Sequence, residues 1–203
     1  MKNIIQSKTT LLHSAVLAVA LCGASSCADN QSAVKQEKQE DTKKVAEEHN
    51  EAKFDTRASE KDAQFLVNAA EINLEEIKLG QLAQQSSKMV DVKEMGKMME
   101  NAQTKSLNDL KALAMKKSIT IPTSPTNDAE DAYKKLTDKD TKFDKDYSDM
   151  MVKGHKDAIE IFQKAATDAT DADIKQWATS VLPTLRTHLD YAMICQKKYD
   201  KMK

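Results

Sequence analysis

The sequence predicts an all-α protein whose folded part, residues 59–201, is one bundle of four long amphipathic helices. Three observations carry that prediction. Glycine nearly vanishes, with only Gly80, Gly96 and Gly154 beyond residue 27. Apolar residues recur at spacings of three and four, the period of a helix face and not of a strand. Runs of β-branched residues are few and hairpin dipeptides are absent.

The elements follow from the N-terminus. Lys2 and Lys8 precede a short apolar run from Leu11 to Cys22, and then come Gly23, Ala24, Ser25, Ser26 and Cys27. Basic, then apolar, then small is the order of a secretory signal, and the run is short for a membrane span. Small residues directly before a cysteine resemble a bacterial lipobox, with Ala24 where leucine is commoner. The expectation is a lipoprotein signal over 1–26 and a diacylated Cys27 that anchors the chain to a membrane, each buried methylene adding about 0.8 kcal/mol. An ordinary secreted protein cut near Ala24 is the alternative. Cys22 is the poorer acyl acceptor because bulky Leu21 precedes it. With Cys22 removed and Cys27 acylated, Cys195 is left alone, so no intrachain disulfide is expected. The predicted location is the bacterial cell envelope, outer membrane or periplasm-facing.

Residues 28–58 are polar, charged and nearly without large apolar side chains. Such a stretch buries too little surface to offset its ordering entropy. Residues 27–58 are therefore expected to be the lipidated cysteine and a disordered tether, with transient helix at most.

The first long helix is predicted from about Ser59 to Ser87, with Phe65, Ala69, Ile72, Glu76, Leu79 and Ala83 on its seam. The second, from about Asp91 to Lys117, carries Val92, Met95, Met99, Gln103, Ser106, Leu110 and Leu113. Two prolines break the pattern over 118–127, and a short helix fits 128–137. The third long helix spans about Thr141 to Thr167, with Phe143, Tyr147, Met151, His155, Phe162 and Ala165 near one face. The fourth starts near Asp171 and carries Trp177, Val181, Leu185, His188, Ala192, Cys195 and Tyr199. Pro183 lies inside it and predicts a kink or break. Short connections at 88–90 and 168–170 make antiparallel neighbours of the first and second helices and of the third and fourth. The long connection between the second and third is a crossover, which makes the arrangement ferritin-like.

Polar residues on the seams are the candidate site. Glu76, Gln103, His155 and His188 contribute one polar side chain from each long helix. A buried carboxylate must be paired, protonated or metal-bound, and convergent carboxylates and histidines in a bundle core are how metal sites are built. A transition metal (Fe, Mn or Zn) held by Glu76, His155 and His188, with Gln103 beside it, is one reading. A hydrogen-bonded Glu–His network without metal is the other. No helix carries a Glu-x-x-His pair, which argues against a di-iron centre. The methionines at helical spacing suit adaptable core packing better than copper ligation. Cys195 lies two turns past His188, about 10 Å along a helix axis, too far for a Cys–His nucleophile, and is expected to be a buried inert thiol.

The blocks EINLEEIKLGQLA (71–83), NAQTKSLNDLKALA (101–114), FDKDYSDMMVKGHKDAIEIFQKAA (143–166) and LPTLRTHLDYA (182–192) resemble domain-of-unknown-function family 4142. That resemblance covers about 59–199 and implies a bacterial exported protein with a ferritin-like helical bundle, of the kind described as a predicted outer membrane protein. The family pattern has a Glu in the first helix, an Asp–His pair in the second and third, and a final His. Glu76, His155 and His188 match. Ala102 and Gln103 stand where the second helix's pair belongs, and Gly154 stands where the third helix's Asp belongs. The resemblance therefore implies a depleted polar core.

The formal net charge is −1, with no basic face for phosphate, so nucleic acid is excluded as a partner. Phosphate-binding loops and nucleophile elbows are absent, and no catalytic residue is identified. The leading expectation is a lipid-anchored envelope protein with a structural or binding role, in stress adaptation for example, contacting the membrane through its N-terminal lipid. Its rival is the ferritin-like metal binder.

Overall fold

The structure is a computed structural model that describes residues 41–138 and 142–201. These residues form six helices: α1 (Thr42–Glu51), α2 (Arg57–Ser86), α3 (Val90–Lys117), α4 (Asn127–Thr137), α5 (Phe143–Asp168) and α6 (Ala172–Lys201). The described residues are all-α, and the four expected long helices are α2, α3, α5 and α6. Cys27 and the signal segment lie outside the described residues. Among the described residues, no helix is long and apolar enough to cross a membrane.

Polar groups at the helix ends fix how the long helices run. At one end Asp62, near the start of α2, accepts from the backbone N–H of Thr170 at 3.1 Å and of Asp171 at 2.8 Å. Lys117, closing α3, pairs with Asp171 at 2.5 Å and Asp173 at 2.6 Å. Asp171 also accepts from the N–H groups of Asp173 and Ile174, satisfying donors that the start of α6 would leave unpaired. At the other end Ser87 donates to Asp144 at the start of α5. So α3 and α5 run the same way, α2 and α6 run the other, and residues 118–138 run back along the bundle toward the Ser87 end, where Leu136 joins the core. That is the predicted single crossover between two helical hairpins. On its way the crossover forms α4, which lies along α2 through the Lys78–Glu130 ion pair.

The core has two apolar clusters. One packs Phe65, Leu66, Leu110, Phe162, Ile174 and Leu185 toward the Asp62 end, with Phe65 and Phe162 edge-to-face at 5.1 Å. The other packs Leu79, Met95, Met99, Tyr147, Met151 and Cys195 toward the Ser87 end. Glu76, Gln103, His155 and His188, all buried, belong to neither cluster. Along every long helix they fall between the two.

In three places the observed elements differ from the sequence expectation. The stretch read as tether contains α1, so the ordered part begins before Ser59. α1 is too polar to fold by apolar burial, but hydrogen bonds hold it. Asn50 donates to the Thr120 carbonyl at 2.8 Å and accepts from the Thr120 N–H at 2.9 Å, while Lys43 pairs with Glu71 at 2.6 Å. Next, α6 is not broken at Pro183. Pro183 sits on the exposed face, where water can solvate the carbonyl it leaves unpaired, while buried Ala178, Leu182 and Leu185 hold the helix on either side. Finally, the buried stripe at the start of α6 is Ile174, Ala178 and Leu182, with Trp177 and Val181 only half-buried beside it.

Candidate metal centre

Each long helix positions one polar side chain by the same rule that positions its apolar ones. Glu76 follows Phe65, Ala69 and Asn73 on the buried face of α2; Gln103 lies between Met99 and Leu107 on α3. His155 lies between Met151 and Ala158 on α5, and His188 between Leu185 and Ala192 on α6. What brings them level is the fit of the helices. α2 and α3 come backbone to backbone at Gly80 and Gly96, where a Cβ on either would stand 2.6 Å from the other's carbonyl oxygen. This places Gln103 opposite Glu76, and its Nε2 donates to Glu76 Oε2 at 2.5 Å.

The histidines complete the layer. Their rings meet edge-on, with centroids 5.4 Å apart. His155 Nδ1 donates to the Met151 carbonyl at 3.0 Å and lies 3.5 Å from Glu76 Oε1. A carbonyl only accepts, so the proton sits on Nδ1 and Nε2 carries a lone pair. His155 Nε2 and His188 Nδ1 are both buried without a hydrogen-bond partner in the protein. One donor atom each from Glu76, His155 and His188 lie within 4.8 Å of one another. Donors about 2.1 Å from a common ion are at most about 4.2 Å apart, a span close to the 4.8 Å limit within which these three side chains place a donor atom each.

Burial sets the charge of this layer. It pushes the Glu76 carboxyl up to about 8, against the opposing Gln103 hydrogen bond. Burial also lowers His155 to about 4, and burial with the neighbouring His155 lowers His188 to about 4. Near neutrality the metal-free layer is therefore a mostly protonated carboxyl and two neutral imidazoles, as a dry interior demands.

The sequence-level candidates thus converge, but in different roles. Glu76, His155 and His188 form the candidate donor group, whereas Gln103 donates to the Glu76 carboxyl. Two neighbours were not foreseen. Asn73 Nδ2 and Tyr147 Oη are also buried without a hydrogen-bond partner in the protein, and the nearby Glu76 charge adds to the burial that raises the Tyr147 phenol. Asn73 sits one turn before Glu76, a spacing that could have flagged it. Tyr147 reads in sequence as an ordinary seam aromatic. The Cys195 thiol is buried and pushed up to about 11, by burial first and by Asp91 next, which leaves it unreactive. Met95, Met99 and Met151 pack in the core.

No curated protein and no solved structure matches the chain. The family described as Domain of unknown function (DUF4142) matches it over residues 47–194, from α1 into α6. Spanning most of the chain, that match agrees with the four sequence blocks and makes this protein a member of the DUF4142 family.

Proposed function

We propose that this protein is a metal-binding helical bundle of the bacterial cell envelope, tethered to a membrane by lipid on Cys27. It holds one divalent first-row transition ion between Glu76, His155 and His188. The observation that carries the reading is the pair of partnerless buried ring nitrogens, His155 Nε2 and His188 Nδ1, beside a buried carboxylate. A purely structural Glu–His network would pair those nitrogens, since burying them unpaired costs about 1–3 kcal/mol each. A metal uses both lone pairs and the carboxylate.

The donor set fits the group. Two neutral imidazoles and one carboxylate suit zinc, iron or manganese. His155 already donates its other ring nitrogen to a backbone carbonyl, the arrangement that orients ligating histidines, and Gln103 orients the carboxylate. Bound metal would supply the positive charge that the layer lacks and displace the Glu76 proton. The residues in hand bind and orient, and the proposal assigns no turnover.

Elemental analysis of the full-length protein, purified without chelator, tests it. One ion per chain is expected, lost in His155→Ala and in His188→Ala. A metal-free protein whose melting temperature ignores added iron, manganese, zinc and copper overturns it. The anchor has its own test: metabolic labelling with a fatty acid is expected in the wild type and lost in Cys27→Ser.

A further inference from the structure

We infer that the groove between α2 and α5 is the route by which a divalent cation reaches the buried centre, with Gly154 as its mouth and Glu75, Asp128 and Asp157 as its electrostatic guide. The inference rests on the metal-binding reading above. Of the three donors, the His155 side chain is fully buried, whereas the Glu76 side chain keeps 6 % exposure. Glu76 reaches outward because it lines a cavity of about 410 Å³ between α2, α4 and α5.

Acidic side chains enter the walls from three elements, Glu75 from α2, Asp128 from α4 and Asp157 from α5, against a single lining cation, Lys153. The cation at the rim, Lys153, is engaged by Asp157 at 2.5 Å. A cleft with an excess of acidic side chains between low-dielectric walls concentrates cations and speeds their arrival.

Gly154 completes the picture because packing does not explain it. A Cβ at Gly80 or Gly96 would strike backbone, but a Cβ at Gly154 meets nothing within 4 Å. Glycine inside a helix is unfavourable without such a reason. Here it lies on the cavity wall next to His155, where a long side chain would stand in the opening.

Stopped-flow uptake of Co2+ by the full-length protein tests the route. Gly154→Leu is expected to slow association and dissociation together by about tenfold or more, leaving the dissociation constant unchanged, since both pass the same mouth. Gly154→Ala, too short to fill it, keeps wild-type rates. Glu75→Gln with Asp157→Asn slows association by about tenfold and flattens its dependence on ionic strength. Leucine is a good helix former in open space, so circular dichroism should show Gly154→Leu folded, and the charge variants read the same route if it is not. Wild-type uptake rates in Gly154→Leu, with full Co2+ occupancy, would remove the route and leave the metal centre standing. No Co2+ bound by the wild type would remove both.

Discussion

His155 and His188 show how far burial sets the chemistry of single residues here. Both imidazoles are held neutral, with pKa values lowered to about 4, while the Glu76 carboxyl is raised to about 8. The linkage signs are opposite. The histidines bind protons more weakly when folded, so their contribution is present above about pH 6.5 and lost as pH falls toward 4. Glu76 binds its proton more tightly when folded, so its contribution is present below about pH 4.5 and lost as pH rises through 8. The metal-free protein should be most stable near pH 6.5 and melt at lower temperature on either side, as thermal scans across pH 4–9 would show. Metal loading should reverse the alkaline limb, because the ion takes the deprotonated carboxylate. Titration in weak buffer should then record close to one proton released per ion at neutral pH. Thermal scans that stay flat between pH 6 and 9 would contradict the raised Glu76.

At the scale of elements, three glycines in helices should respond oppositely to the same substitution. Gly80→Ala or Gly96→Ala forces α2 and α3 apart against immovable backbone, and should destabilise by about 1–3 kcal/mol despite alanine's better helix propensity. Either should also lengthen the Gln103–Glu76 hydrogen bond and weaken metal affinity. Gly154→Ala meets open space and should stabilise by about 1 kcal/mol. Denaturant titrations separate the two signs, and equal effects at all three positions would refute the packing account. Helix periodicity reveals which residues share a face, and on that basis all four long helices and the seam positions of Glu76, Gln103, His155 and His188 were legible in the sequence. It does not reveal that Gly96 meets Gly80, since a stripe of small residues and an exposed glycine look alike along the chain. The first turns of α6 were misread for a related reason. Ile174 and Ala178 are the fully buried residues there, while Trp177 packs at the core's edge on Phe65 and Phe162.

For the whole molecule, ligand binding and the crossover couple separate parts into one unit. An ion at a hundredfold its dissociation constant adds about 2.7 kcal/mol to stability, which for a chain of this size raises the melting temperature by roughly 5–10 °C. That rise should vanish in His188→Ala. Asn50→Ala should leave the bundle folded but free α1 from the crossover, speeding amide exchange over residues 42–51 by tenfold or more, about 1.4 kcal/mol. Unchanged exchange there would show that α1 is held by something other than its bond to Thr120. By itself the sequence determined the four long helices, most of their buried faces, and one polar residue on each long seam, because these depend on local period and composition. Only the tertiary structure decided that the four polar residues share one level, that Gln103 holds Glu76 while two ring nitrogens stay unpaired, and that the polar α1 is ordered. Those outcomes depend on axial register between helices and on hydrogen bonds between residues some 70 apart in sequence, and helix periodicity carries information about neither.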